Sequence, residues 1–354
     1  MIRPHIFLSF LILFSSALPA SPALAKPEGP QAVIFMYHRF GETRYPGTNV
    51  TVEQFEEQLD FFEKNHFSVL PLEEIVEALK QNRPLPDKAI GITIDDAYMS
   101  VYKEAYPRLK ARGYPFTVFV ATDAVDQGIP AYMNWQQMRE MQKNGASFAN
   151  HSQSHDYLVR KKTDESQASW KSRIKTDIAT AQGRLQQELG HAPALFAYPY
   201  GEYNLELMNL VEELGYTGFG QHSGGVGPLS DRRALPRFPM AEAYADMKAF
   251  RTKALSLAMP VVEQQPVDPL TTDKKPQLTV TLAAGSANLD QLACYIGDRR
   301  MEIQWIEPGK RFMIQTEKDL PLGRSRYNCT APDNDSSRYF WYSHPWLRIR
   351  LQKF

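Results

Sequence analysis

Residues 89–121, AIGITIDDAYMSVYKEAYPRLKARGYPFTVFVA, contain the pattern that decides the fold. An apolar run at 89–94 precedes a helix-forming segment that ends near Gly113, and a second apolar run covers 116–121. Apolar strands joined by an amphipathic helix form parallel sheets with right-handed crossovers. The stretch therefore predicts one β-α-β unit whose two strands lie in the same sheet.

The same alternation extends from residue 32 to about residue 257. Further apolar runs occur at 32–38, 67–70, 147–150, 195–198 and 218–221. Segments with helical periodicity separate them, at 51–65, 72–82, 134–144, 164–189 and 205–214. About seven such units favour a barrel-like sheet over a short doubly wound one. We therefore predict an α/β fold whose functional side chains lie at the C-terminal ends of the strands.

The pattern changes at residue 259. The segment 259–277 contains four prolines and little periodicity, which predicts a linker. Short alternating runs separated by turn residues follow it and predict a small all-β sandwich over 278–354. Its two cysteines, Cys294 and Cys329, are expected to form a disulfide if the protein is exported.

The first 25 residues have the pattern of a secretory signal. A basic residue, Arg3, precedes an apolar run at 6–18, and small residues end at Ala25. An uncleaved anchor is the alternative. Cleavage after Ala25 would leave an α/β domain at 26–258, and we expect an exported, periplasmic or extracellular protein without stable membrane insertion.

Composition excludes one class of partner. The formal net charge is +0, and 43% of the residues are hydrophobic, as in ordinary globular proteins. The chain contains no long basic run. We therefore expect no nucleic-acid partner.

Two adjacent carboxylates, Asp95 and Asp96, end the first strand of the stretch at 89–121. Such a pair after an apolar strand costs free energy unless a cation neutralises it or it faces solvent. Because adjacent side chains point in different directions, one carboxylate can bind a metal while the other acts as a base. A pair of helix N-cap residues is the alternative interpretation.

Two histidines, His151 and His155, follow another strand and are four residues apart. This spacing lets both imidazoles face one metal ion, although such a pair also occurs by coincidence on surfaces. Together with an aspartate they would form a His₂Asp set with open positions for water and substrate, which is typical of a catalytic metal site. Zinc is the expected divalent metal, and cobalt or nickel also suit these ligands.

Two further candidates lie at strand ends. In the turn at 198–201 (YPYG), Pro199 fixes the backbone, so the amide of Tyr200 could face a developing oxyanion. An ordinary strand-ending turn explains this sequence equally well. His38 ends the strand at 32–38, where a lone histidine is more often structural than catalytic.

The segments 93–96 (TIDD), 151–155 (HSQSH) and 198–201 resemble three motifs of the polysaccharide deacetylases, carbohydrate esterase family 4, also called the NodB homology domain. The resemblance covers about residues 31–240. It implies a distorted (β/α)7 barrel that removes acetyl groups from N- or O-acetylated glycans. The roles it implies are a base at Asp95, metal ligands at Asp96, His151 and His155, and an oxyanion-stabilising amide at Tyr200.

The chain departs from the family pattern at three places. Ala97 replaces the usual glycine, and Ala197 replaces an arginine that braces the base. The late Leu-x-His motif is absent after residue 240, and His38 at the front resembles the general acid of a permuted branch that includes the poly-N-acetylglucosamine deacetylases. Arg237 also resembles that branch and is the candidate replacement for the missing arginine.

These patterns predict an exported, metal-dependent hydrolase that removes N-acetyl groups from an acetylhexosamine polysaccharide. An O-acetyl polysaccharide esterase and a non-catalytic glycan-binding protein are the alternatives. The expected partner is an acetylated polysaccharide. Three roles for the C-terminal domain agree with the sequence: substrate binding, docking to other cell-envelope proteins, and stabilisation of the fold.

Overall fold

The structure is a computed structural model that describes residues 29–350. The predicted signal at 1–25 therefore lies outside the described residues, as do the last four residues of the predicted sandwich. Within the described part, every helix is too short or too polar to cross a membrane.

The first part of the chain alternates strands and helices. Its strands are β1 (Ala32–Tyr37), β2 (Arg39–Phe40), β3 (Asn49–Val50), β4 (Ser68–Val69), β5 (Ala89–Asp95), β6 (Phe116–Val120), β7 (Ala146–Asn150), β8 (Leu195–Ala197), β9 (Thr217–Phe219), β10 (Gly225–Val226) and β11 (Phe238–Pro239). Its helices are α1 (Val52–Lys64), α2 (Leu72–Gln81), α3 (Tyr106–Ala111), α4 (Thr122–Asp126), α5 (Trp135–Gln142), α6 (Gln167–Leu189), α7 (Leu205–Glu213) and α8 (Met247–Ala254).

The main sheet is a curled half-barrel with the strand order β10-β1-β5-β6-β7-β8-β9. β4 pairs with β5 and β11 with β1, both in parallel. The pairs from β1 through β9 along this path are also parallel, whereas β10 runs antiparallel to β1. With helices packed around it, this sheet is the predicted distorted barrel, and the predicted α/β class is confirmed.

Both faces of the sheet are buried. On β1, Val33, Phe35 and Tyr37 belong to the core cluster shared with helices α1 and α3. The alternate residues Ala32 and Ile34 belong to a second cluster, which contains residues of α2. Because each strand is covered on both faces, its side chains are apolar along its length, and polar side chains concentrate where the strands end.

The helix predicted after β5 is shorter and less regular than expected. One wide helical turn covers Val101–Ala105, and the α-helix proper, α3, contains Pro107 in its first turn. Proline has no N–H to donate to the preceding turn. The wide turn before it accommodates this lost hydrogen bond.

The C-terminal part consists of two β-sheets. Its strands are β12 (Ser256–Ala258), β13 (Val261–Gln265), β14 (Leu270–Thr271), β15 (Gln277–Leu282), β16 (Ala293–Ile296), β17 (Arg299–Met301), β18 (Ile303–Glu307), β19 (Arg311–Gln315), β20 (Gly323–Pro332) and β21 (Tyr339–Arg348). One sheet has the order β12-β21-β20-β16-β17, with β14 on β21, and the other β13-β15-β19-β18. Residues of both sheets share one core, as predicted for a sandwich.

The predicted disulfide is present. Cys294 on β16 and Cys329 on β20 are bonded to each other and are direct partners across this antiparallel pair.

The prediction that residues 259–277 form an irregular linker is wrong, because this segment contains strands. β13 pairs with β15, and β14 pairs with β21, so much of this segment belongs to the two sheets. β13 is an edge strand with mostly exposed side chains, and prolines flank it. Edge strands tolerate polar residues and proline, so they lack the apolar alternation that reveals a central strand. The domain boundaries at residues 258 and 278 stay predictions.

Candidate active site

The C-terminal end of β5 directs two carboxylates away from each other. Asp95 is the last residue of the strand and is fully buried. Asp96 and Ala97 follow with φ values of 74° and 54°, in the left-handed region. This conformation is unfavourable for residues with a Cβ atom and costs glycine little, so Asp96 and Ala97 occupy strained backbone positions at the end of the strand.

Arg237 lies directly against Asp95. Its two terminal nitrogens donate to the two carboxylate oxygens of Asp95 over 2.7 and 2.9 Å. Nε donates to the carbonyl oxygen of Gly220, and one terminal nitrogen also reaches the hydroxyl of Thr93. Both charged side chains are fully buried, so the pair is a fixed, two-pronged ion pair that holds the carboxylate in one orientation.

The environment of Asp95 favours its ionised form. Burial opposes ionisation, but the positive charge of Arg237, together with His151 and His38, outweighs it and holds the pKa of Asp95 below its usual range. Asp95 is therefore a carboxylate at neutral pH and can accept a proton.

Asp96, His151 and His155 converge on one point. Oδ1 of Asp96 lies 3.3 Å from Nε2 of His151 and 3.1 Å from Nε2 of His155. The three ligand atoms lie within 4.8 Å of one another. The other ring nitrogen of His151 is 2.8 Å from the carbonyl oxygen of Ala197, which can only accept, so Nδ1 carries the proton and Nε2 presents its lone pair to the site.

The geometry of these three side chains fits a divalent metal. Oδ1 of Asp96 is buried and lacks a hydrogen bond of good geometry among the described residues. A carboxylate oxygen and two imidazole nitrogens held this close are a ligand set that fits one divalent cation. One oxygen and two nitrogen ligands leave coordination positions open for water and substrate.

The loop that carries the two histidines is held rigidly. The hydroxyl of Ser152 accepts a hydrogen bond from the backbone of His155 over 2.9 Å. Asp177, on α6, accepts from the backbone of Gln153 over 2.7 Å and from the hydroxyl of Ser154 over 2.6 Å. These contacts fix the direction of the imidazoles before any ligand binds.

His38 follows β1 at the same rim. Its Nε2 lies 3.9 Å from Oδ2 of Asp95. Burial lowers the pKa of His38 below its usual value, although the charges of Asp95 and Asp96 act in the opposite direction. A lowered pKa makes the imidazolium a stronger acid once it forms.

Tyr200 lies beside the histidine pair in a strained backbone conformation. Its φ and ψ are 59° and 3°, and its ring packs edge-on against His155 at 4.6 Å and stacks on Tyr157 at 4.0 Å. Arg324, on β20, donates hydrogen bonds to the carbonyl oxygen of Tyr200 and to the side chain of Gln221. The C-terminal part therefore contacts the candidate oxyanion residue directly.

The structure brings all seven residues singled out from the sequence to one rim of the half-barrel. Five of them, His38, Asp96, His151, His155 and Tyr200, line a cleft of about 1450 Å³ whose opposite wall is formed by the C-terminal sheets, while Asp95 and Arg237 are fully buried beside it. That wall includes Arg299, Arg324, Arg326 and Trp341. Sequence reasoning missed the three arginines, because no local pattern distinguishes a strand residue that faces the cleft from one that faces solvent.

The family model for polysaccharide deacetylase matches residues 82–219. The poly-beta-1,6-N-acetyl-D-glucosamine N-deacetylase of Escherichia coli (strain K12) is 23% identical over 343 residues, which cover 86% of this chain and 47% of that protein. The chain thus spans about half the length of this relative.

Two solved structures share the fold. The Streptococcus pyogenes deacetylase PplD, in complex with acetate, is 25% identical with a TM-score of 0.55 over 61% of this chain and 94% of that one. IcaB from Ammonifex degensii is 25% identical with a TM-score of 0.54 over 64% of this chain and 97% of that one. Both similarities agree with the half-barrel described above.

Proposed function

We propose that this chain is a polysaccharide deacetylase, as its match to that family's model over residues 82–219 indicates, and that it is a metal-dependent hydrolase that removes N-acetyl groups from an acetylhexosamine polysaccharide. The observation that carries the proposal is the cluster of Asp96, His151 and His155 beside a buried carboxylate braced by arginine. A metal site next to a fixed base is what hydrolysis of an amide requires.

Asp96, His151 and His155 are the proposed metal ligands, and zinc is the proposed ion, with cobalt and nickel as alternatives. When bound there, a divalent metal lowers the pKa of water and polarises the acetyl carbonyl. The ligand set leaves the two oxygens of Asp95 outside the cluster, so this carboxylate stays available for proton transfer.

The remaining steps use residues of this chain. Asp95 accepts the proton of the attacking water, and Arg237 holds its carboxylate in place during the transfer. The amide of Tyr200 stabilises the negative charge that develops on the acetyl oxygen. His38 donates a proton to the sugar nitrogen as the carbon–nitrogen bond breaks, which releases acetate and a free amine.

The substrate is tested by acetate release across a panel of N-acetylglucosamine oligosaccharides and O-acetylated glycans, with zinc, cobalt and nickel added separately. The proposal expects metal-dependent release from the N-acetylated oligosaccharides. Release from O-acetylated glycans alone would favour the esterase, and no release with any metal would favour a glycan-binding protein.

Export also belongs to this proposal. It rests on the predicted signal at 1–25, and the disulfide between Cys294 and Cys329 agrees with an oxidising compartment.

Arg324→Ala is expected to lower kcat for acetate release about tenfold with little change in KM. The substitution removes the donor to the Tyr200 carbonyl, and small displacements of a positioning group reduce rates strongly. Arg299→Ala is the matched control, since it removes an arginine from the same wall without touching Tyr200. Equal kinetics for Arg324→Ala and Arg299→Ala would show that the contact with Tyr200 does not matter.

A further inference from the structure

Two basic side chains inside the cleft lie beside the same aromatic ring. Lys253, on α8, and Arg326, on β20, both line the cleft, as does Tyr244. Nζ of Lys253 is 5.3 Å from the centre of the Tyr244 ring, and the guanidinium carbon of Arg326 is 5.4 Å from it. Both charges therefore lie close to the same aromatic ring.

Neither cation forms a salt bridge with a described residue. Nζ of Lys253 donates to the carbonyl oxygen of Tyr244, and Arg326 contacts the Tyr244 ring. The nearest acidic residue along the chain, Asp246, accepts hydrogen bonds from the backbone at the start of α8. Two other carboxylates of the cleft have partners, since Glu202 contacts Arg160 and Asp319 contacts Lys274, and among the described residues no carboxylate of the cleft forms a salt bridge with Lys253 or Arg326.

Burial makes this arrangement of charges costly. Lys253 is only 5% exposed, and a buried cation without a counter-charge is unfavourable. Burial, and then the neighbouring charge of Arg326, lower the pKa of Lys253 to about 7, although the negative charge of Asp246 acts in the opposite direction. An anion bound next to both side chains would offset the cost of burial and the repulsion between the two positive charges.

The geometry of β20 places this pair beside the reacting centre. Arg324, Arg326 and Asn328 are alternate residues of one strand, so they point to the same face, and all three line the cleft. Arg324 contacts Tyr200, and Arg326 follows about 7 Å along the strand. A glycan whose acetyl group lies near Tyr200 would therefore reach Arg326 with a neighbouring part of its chain.

We propose that Lys253 and Arg326, both beside the ring of Tyr244, form a subsite for an acidic group of the glycan, a carboxylate or a phosphate, next to the acetyl group that is removed. The inference rests on the proposed function and deepens it: the substrate is an N-acetylated polymer that carries acidic groups. The aromatic ring of Tyr244 offers a surface for the sugar, and the cations select its charge.

The test is calorimetric binding of three hexasaccharides of equal length. The probes are a hyaluronan hexamer, which alternates N-acetylglucosamine with a carboxylate sugar, a 6-phosphorylated N-acetylglucosamine hexamer and the neutral N-acetylglucosamine hexamer. The protein is expected to bind at least one acidic hexamer about tenfold or more tightly than the neutral one. The tighter of the two acidic probes identifies the group as carboxylate or phosphate.

Two substitutions assign the preference to this pair. Lys253→Met and Arg326→Met are each expected to weaken binding of the preferred acidic hexamer about tenfold, and Arg326→Lys is expected to retain most of the affinity. Lys248→Met is the control, because it removes an exposed lysine from the same helix outside the cleft. Thermal unfolding checks that each variant is folded. If Arg326→Met does not fold, Lys253→Met and Arg326→Lys still test the subsite.

Equal binding of acidic and neutral hexamers by the unsubstituted protein would overturn the subsite. So would an equal loss of affinity in Lys248→Met. The calorimetric experiment measures binding and not acetate release, so it tests the acidic subsite independently of the deacetylase function. Acidic preference without acetate release from any probe would contradict the deacetylase function alone, whereas acetate release without acidic preference would contradict the subsite alone.

Discussion

Asp95→Asn is expected to lower acetate release by about 10³-fold while the protein retains its metal. An amide has nearly the shape of a carboxylate but cannot take the proton of the attacking water, and proton transfer by a positioned side chain contributes on the order of 10²–10⁴-fold. Asp95 lies outside the cluster of proposed ligands, so the metal content is expected to stay unchanged. Acetate release and metal content are measured on the same sample.

Asp156→Asn is the control for this substitution. Asp156 also lines the cleft, next to His155, but it is exposed and does not contact Arg237. Its substitution is expected to leave acetate release near that of the unsubstituted protein. Full activity of Asp95→Asn would contradict the role of Asp95 as the base.

Arg237→Met is expected to lower the free energy of unfolding by about 3–5 kcal/mol, because it leaves the carboxylate of Asp95 buried without a partner. It is also expected to reduce acetate release, since Arg237 fixes the orientation of the base. Urea unfolding measures the first effect and the acetate assay the second.

The double variant Asp95→Asn/Arg237→Met tests the cause of this loss. Because it buries neither charge of the pair, it is expected to be more stable than Arg237→Met alone, although inactive. Arg233→Met is the surface control: Arg233 pairs with Asp231 near the surface, so its loss is expected to cost less than about 1 kcal/mol. A double variant no more stable than Arg237→Met would contradict this explanation.

The main sheet could be predicted because its strands are unusually clear in the sequence. β1, β5 and β6 are buried along their whole length and therefore form continuous apolar runs. The two-residue strands β10 and β11 give no such signal. Neither does β13, whose side chains face solvent, and this is why the predicted linker proved to contain strands.

The candidate site was predictable to the extent that it depends on local spacing. Asp95 with Asp96, and His151 with His155, are close in sequence and follow strands, so their convergence could be expected from the barrel. The contact of Arg237 with Asp95 joins residues 142 positions apart, and only the family resemblance suggested it. A contact over that separation depends on the pairing of β11 with β1 in the sheet.

The C-terminal wall of the cleft could not be predicted at all. Arg324 and Arg326 lie on a strand with unremarkable alternation, and Lys253 lies on a helix of ordinary composition. Their importance comes from the position of the sandwich over the rim of the half-barrel. That position is set by long-range contacts, such as the packing of Trp341 against Phe238 at 5.1 Å, that no short pattern encodes.

Acetate release before and after removal of the metal tests the central claim most directly. The protein is stripped with a chelator, assayed on an N-acetylglucosamine oligosaccharide, and assayed again after one equivalent of zinc is added, with His151→Ala treated in parallel. We expect stripping to abolish release and zinc to restore it in the unsubstituted protein but not in His151→Ala, which lacks one of three proposed ligands. Undiminished release by the stripped protein, or full restoration of His151→Ala, would contradict a catalytic metal held by Asp96, His151 and His155.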